Sequence, residues 1–168
     1  MLLRAMGKYE EAEPLFRWTL KVREEELGLR HPETLRSSNN LAVLLQDMGK
    51  YEEAEPMFRR TLKVQVEELG LKHPDTLELG LKHPETLKSS NNLGALLQDM
   101  GKYEEAEPMF RRTLKIQEEQ LGLRHPETLK SSNNLAGLLH AMGKYEGAEP
   151  MYRQTLKVRE EELGLRHP

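Results

Sequence analysis

The chain has 168 residues, a net charge of −3 and no cysteine, which excludes a disulfide framework, a thiolate zinc site and a thiol nucleophile. So small a charge supplies no polybasic footprint for nucleic acid or for an anionic membrane. Charged residues make up 32% and hydrophobic ones 37%, with only three Phe and one Trp, which is lean for one central core and suits elongated helical stacking.

Met1–Met6 is too short for a signal peptide, and no apolar run is long enough to cross a bilayer. A cytoplasmic location is therefore expected, with neither a membrane nor a nucleic acid as partner. The same six residues align with Val43–Met48, the last turns of a helix. Met-Gly-Lys-Tyr-Glu then begins at Met6, Met48, Met100 and Met142, at intervals of 42, 52 and 42 residues. The long interval contains a tandem copy: Leu69–Glu78 is followed directly by the near-identical Leu79–Lys88. Removing ten residues restores one strict period, the signature of a stacked array. The expected organisation is a truncated first repeat over 1–30 supplying helix B, a second repeat over 31–72, a duplicated linker insert over 73–82, a third repeat over 83–124 and a fourth over 125–168.

One full unit, His31 to Lys72, carries two helix signatures. Pro32 suits the first helical position, where its missing N–H costs nothing, and Glu33 faces the positive end of the helix dipole. Leu35, Leu41, Ala42, Leu44, Leu45 and Met48 form one apolar stripe, and Gly49 closes the segment. Helix A is thus predicted over about Pro32–Met48. Helix B follows over about Tyr51–Leu69, with Tyr51, Ala54, Phe58, Leu62 and Leu69 on one face and Gly70 as a left-handed C-terminal cap. The two-residue connection makes the pair antiparallel. Neither helix is stable alone, because isolated helices of about 15 residues are marginal in water. Pro56, which recurs as Pro14, Pro108 and Pro150, is expected to bend helix B near its start, the alternative being a later helix start that leaves Glu52–Glu55 irregular.

Gly49, Tyr51, Ala54 and Phe58 spell Gly-x-Tyr-x-x-Ala-x-x-x-Phe, repeated as Gly101, Tyr103, Ala106 and Phe110, with Tyr152 replacing the phenylalanine in the last unit. This resembles the second half of the tetratricopeptide repeat signature; Leu41-Ala42 and Leu45 stand for the first half. With its longer helix B and Leu-Gly-Leu-Arg-His-Pro linker, the 42-residue unit resembles the long repeats of kinesin light chains. The resemblance covers essentially the whole chain and implies an all-α right-handed superhelical solenoid of antiparallel helix pairs. Thr61, where alanine is common, and Leu45, where tyrosine is common, depart from the pattern.

In similar arrays helix A lines the concave groove. The resemblance places Arg36 and Asn40 there, with Lys88 and Asn92, and Lys130 and Asn134, repeating the pair. A cation supplies charge and a carboxamide can bond both N–H and C=O of an extended chain. These residues are the candidate peptide-binding ladder, with an acidic extended peptide as ligand. A polar groove without a particular ligand is the competing reading, in which Asp47 and Asp99 merely neutralise the cations. The histidines at 31, 73, 83, 125, 140 and 167 track the repeat without local metal-pair spacing, which favours a linker or cap role. No nucleophile–base constellation or phosphate loop stands out, so no enzyme activity, cofactor or metal is expected.

The expected function is a protein–protein interaction scaffold. The alternatives are a self-assembling array that associates head to tail through uncapped ends, where Leu156 and Leu163 are expected to lie uncovered, and a ligand-sensing segment of a larger signalling protein.

Overall fold

The computed structural model describes residues 2–70 and 82–163. Regular structure among them is helical: a four-residue stub α1 (Leu2–Ala5), then α2 (Tyr9–Leu27), α3 (Pro32–Asp47), α4 (Tyr51–Gly70), α5 (Pro84–Asp99), α6 (Tyr103–Leu121), α7 (Pro126–Ala141) and α8 (Tyr145–Leu163). The chain divides after Leu96 into two compact units. In the first, α1 packs on α2, α2 on α3 and α3 on α4; in the second, α6 packs on α7 and α7 on α8. Most of the expected insert over 73–82 lies outside the described residues, as do the side chains of Leu69 and Leu163.

The starts of α3, α5 and α7 are chemically alike. Pro32 and Pro126 occupy the first turn, and the preceding His31 and His125 are extended at ψ 138, as a residue before proline must be. The Nδ1 atoms of His31, His83 and His125 accept hydrogen bonds from the backbone N–H of Glu33, Glu85 and Glu127 at 3.2, 3.3 and 3.2 Å. Each imidazole thus satisfies one of the orphan donors of a helix start, so these three histidines are caps. One residue further on, Thr34 donates to the carbonyl of Arg23 at 3.2 Å and Thr128 to that of Gln117 at 3.4 Å. Both of these helices A are thereby tied to the helix B before them.

Helix A ends in a paired backbone motif. At the first full repeat, Gly49 N–H bonds Gln46 O at 2.9 Å and Lys50 N–H bonds Leu45 O at 2.8 Å, and the same pairs recur at Gly101 and Lys102 and at Gly143 and Lys144. The geometry needs a positive φ, which is +73° at all three glycines and costs glycine little. Helix B ends differently from the expectation. Gly70 closes α4 inside the helix, and its counterparts Gly28 and Gly122 combine φ 84 and 83 with ψ 163 and 165. That region is essentially glycine-only but is extended, not left-handed helical. The linker has to run straight to the next histidine cap, and a left-handed residue would turn it back.

The predicted core stripe is buried at Leu35, Leu41, Ala42, Leu44 and Leu45, and at Ala54 and Phe58; Met48, Tyr51 and Leu62 are half-buried. Pro14, Pro56, Pro108 and Pro150 lie inside their helices, which run unbroken from the tyrosine. Thr61 has a local reason: it is fully buried, and its hydroxyl meets that of Ser38 on α3 at 3.2 Å, so a polar pair joins the two helices where alanine would only fill space. Tyr152 lies over Gly137 of α7. A Cβ at that glycine would make an ordinary van der Waals contact with the tyrosine hydroxyl, at 3.6 Å; the equivalent positions carry Val43 and Ala95.

Candidate functional site: a helix-A cleft and the joints between repeats

Arg36 and Asn40 on α3 and Lys88 on α5 line one cleft of about 600 Å³, together with Leu3, Leu15, Phe16, Thr19, Arg23 and Ser37. Arg36 and Asn40 lie four residues apart on one helix face, which places them on the same wall. The helix-A stub α1 is short, so Leu15 and Phe16 of α2 reach the cleft and give it an apolar side. Its polar side is held by Arg23, whose guanidinium donates to Ser37 Oγ at 2.6 Å and to the Glu33 carbonyl at 3.1 Å. Arg36 donates to the Glu33 carboxylate at 2.7 Å. Asp47 does not neutralise Arg36: it pairs with Arg4 at 2.5 Å, because it lies at the other end of α3. Among the described residues the cleft's lining thus carries three cations, Arg23, Arg36 and Lys88, two of which pair with the Glu33 carboxylate.

Of the other candidates, Asn92 is half-buried on α5 and does not line this cleft. In the second unit, Lys130 is exposed and Asn134 half-buried on α7, four residues apart as Arg36 and Asn40 are. Arg23, Ser37 and the apolar wall were not part of the sequence expectation. Their signal was weak: the position of Arg23 in helix B carries Gln65, Gln117 and Arg159 in the other copies.

A second set of contacts joins consecutive helices B. Lys50, thrown forward by the glycine motif that ends α3, donates to Glu13 on α2 at 2.6 Å, and Lys144 donates to Glu107 on α6 at 2.7 Å. Each glutamate also takes an arginine one turn later on its own helix, Arg17 or Arg111, at 2.8 Å. Arg17 reaches on to Glu53 of the next helix B at 2.6 Å. From the linkers, Arg30 pairs with Glu67 and Glu68, and Arg124 with Glu161 at 2.7 Å.

The hydrogen bond from Lys50, and after it Arg17, hold the Glu13 carboxyl below the usual carboxylate range against the opposing effect of burial; Lys144 and then Arg111 do the same for Glu107. Both folded-state values lie below the unfolded ones. Their stabilisation is therefore complete above the unfolded carboxylate value of about 4.3 and is lost as pH falls through the lowered values. Urea melts from about pH 7 to about pH 3 should show a falling midpoint below about pH 4, and the Glu13→Gln/Glu107→Gln variant should show a shallower fall. An unchanged acid limb in that variant would separate these joints from acid sensitivity.

Among the described residues, no cluster of three or more His, Cys, Asp or Glu side chains is arranged to hold a metal, and no helix is long and apolar enough to cross a membrane.

Antiparallel helix pairs joined through histidine-capped linkers define a helical repeat array. The sequence profile of the tetratricopeptide repeat family matches residues 1–65 and 85–161, and the chain belongs to that family. Its fold class is the all-α tetratricopeptide solenoid, with repeats of the long kinesin-light-chain-like type. No curated protein matches the sequence. Among solved structures, BtubC (BKLC) from P. vanneervenii is similar with a TM-score of 0.78 and 23% identity, over 99% of this chain and 62% of that one. The chain thus spans less than two thirds of BtubC. Two structures of a Podosopora anserina putative kinesin light chain with nearly identical TPR-like repeats are also similar. One, of a point variant, is at 21% identity over 96% of this chain and 91% of that one; the other is at 22% over 98% and 92%; both have a TM-score of 0.50. These likenesses concern the fold. Tetratricopeptide arrays serve in general as protein-interaction scaffolds.

Proposed function

We propose that the chain is a protein-interaction scaffold whose helix-A faces bind an extended, acidic peptide. The observation that carries this reading is the shared cleft. Arg36, Asn40 and Lys88, drawn from two consecutive helices A, converge on a volume of about 600 Å³, large enough for several peptide residues. Arg36 and Lys88 offer charge to carboxylates and Asn40 offers a carboxamide to the peptide backbone. Leu15 and Phe16 add apolar surface for one side chain. Lys130 and Asn134 repeat the pair on α7, and Asn92 extends it on α5.

Binding of fluorescent acidic, neutral and basic peptide pools at low salt tests the proposal. The acidic pool should bind tightest and lose affinity as salt screens the charges. Lys88→Glu together with Lys130→Glu should weaken it more than about tenfold, since each reversal replaces an attraction by a repulsion, while helicity measured by circular dichroism stays constant. Equal binding of all three pools, or of none, would overturn the ladder.

Self-association is a second reading, favoured by two apolar faces that the described residues leave uncovered. Trp18 on α2 is 66% exposed and Leu156 on α8 is 57% exposed, whereas of the counterparts of Leu156, Leu20 and Leu114 are buried and Leu62 is half-buried.

A further inference from the structure

The joints between helices B follow one rule. The glutamate of the Ala-Glu-Pro segment, with an arginine four residues later, forms a socket; a lysine and a glutamate three residues apart at the start of the next helix B form the plug. Glu13 and Arg17 take Lys50 and Glu53, both ion pairs closing at 2.6 Å. Glu107 takes Lys144 at 2.7 Å; Gly147 stands where the plug glutamate would be, so that joint keeps the lysine alone.

Burial reports whether a socket is filled. At the first and third positions the glutamate side chains, Glu13 and Glu107, are 15 and 18% exposed. The fourth, Glu149 on α8, is 59% exposed and paired with Arg153 of its own helix at 2.6 Å. The residue types are the same; only the covering helix differs. At the other end of the sequence, Lys8 and Glu11 carry the plug spacing ahead of and within α2, and they pair with each other at 3.1 Å while both remain exposed. The chain thus presents an open socket on α8 and an open plug on α2, with matching charges.

Apolar surface lies beside each. Leu156 follows Arg153 by three residues on α8, and Trp18 follows Glu11 by seven on α2, so each falls on the face of its charged pair. Trp18 occupies the position of Arg60, which internally reaches back to Glu24 of the preceding helix B at 4.0 Å. Its position therefore belongs to the face that meets a preceding repeat.

We infer that these two faces dock between copies of this chain, head to tail, in the register of the internal joints: Glu149 of one copy takes Lys8 of a second, and Arg153 takes its Glu11. The inference rests on the self-association reading and supplies its partner and register. Helix-A contacts are scant at this joint, because α1 is only four residues long. The association is accordingly weaker than an internal interface and calls for concentrations of about 0.01–1 mM, the range of weak contacts. Because the contact is heterologous, it leaves both terminal faces open for further copies.

Sedimentation equilibrium of the full chain over that range tests it, with wild type, Arg153→Glu, Glu11→Arg and the doubly reversed chain compared at low and high salt. All four side chains concerned are exposed, and circular dichroism checks that each variant is folded. The wild type should gain mass with concentration. Either single reversal should weaken association about three- to tenfold, as expected for an exposed pair turned repulsive, and the double reversal should restore it to within about twofold. If the wild type associates but the reversals have no effect, or the double variant is not rescued, the register is wrong and end association stands. A wild type that stays monomeric throughout overturns both.

Discussion

Phe110→Ala should lower the unfolding free energy by about 3–5 kcal/mol, the usual cost of emptying a buried aromatic site, and Phe58→Ala should do the same. Both rings are fully buried, and each sits on a helix B against residues of fixed backbone, so the space cannot collapse cheaply. The same residue elsewhere sets an internal control. Phe16 is only half-buried because the stub α1 leaves much of its side of α2 open, so Phe16→Ala should cost clearly less. Urea melts of the three variants decide the matter. A change below about 1 kcal/mol at both Phe58 and Phe110 would show that neither ring fills the interior of its repeat.

The second large effect is expected at helix A. Leu44 and Leu45 are both fully buried, as are Leu96 and Leu97. Neighbouring positions on a helix point about 100° apart, so both can be covered only by a helix with partners on two sides. α3 has them in α2 and α4, and α7 has them in α6 and α8. Leu138, fully buried on α7, should therefore cost about 2–5 kcal/mol when replaced by alanine. The loss should remain local, since stability in a repeat array is close to a sum of unit and nearest-neighbour terms. Amide exchange in Leu138→Ala should accelerate across α6, α7 and α8 while α2 and α3 keep their protection. Uniform acceleration along the whole chain would instead indicate one cooperative core.

Much of this architecture was legible residue by residue. His-Pro-Glu marks the start of helix A because proline tolerates the first turn, glutamate suits the dipole and the histidine offers an acceptor. The Gly-Lys step marks its end because only glycine readily accepts the positive φ that the closing bonds need. Those are local effects, carried by a few adjacent residues, and they recur wherever the words recur. The candidate cleft was legible in part. Arg36, Asn40 and Lys88 followed from spacing and family resemblance, while Arg23, Ser37, Leu15 and Phe16 come from elements that only folding brings beside them. Asp47 was misplaced for the same reason: its partner, Arg4, is 43 residues away in sequence.

The sequence by itself determined the repeat, the helix pairs, their caps and their family, because periodicity and short-range backbone chemistry are properties of the chain. The tertiary structure decided what each copy of a repeated residue does. Glu13 and Glu149 occupy the same word in equivalent helices, yet one is a covered ion-pair hub and the other an exposed carboxylate; Leu20 is buried and Leu156 open. Burial, charge pairing and availability for a partner depend on whether another helix lies across the residue, a property of the neighbouring repeat that an identical local sequence cannot encode.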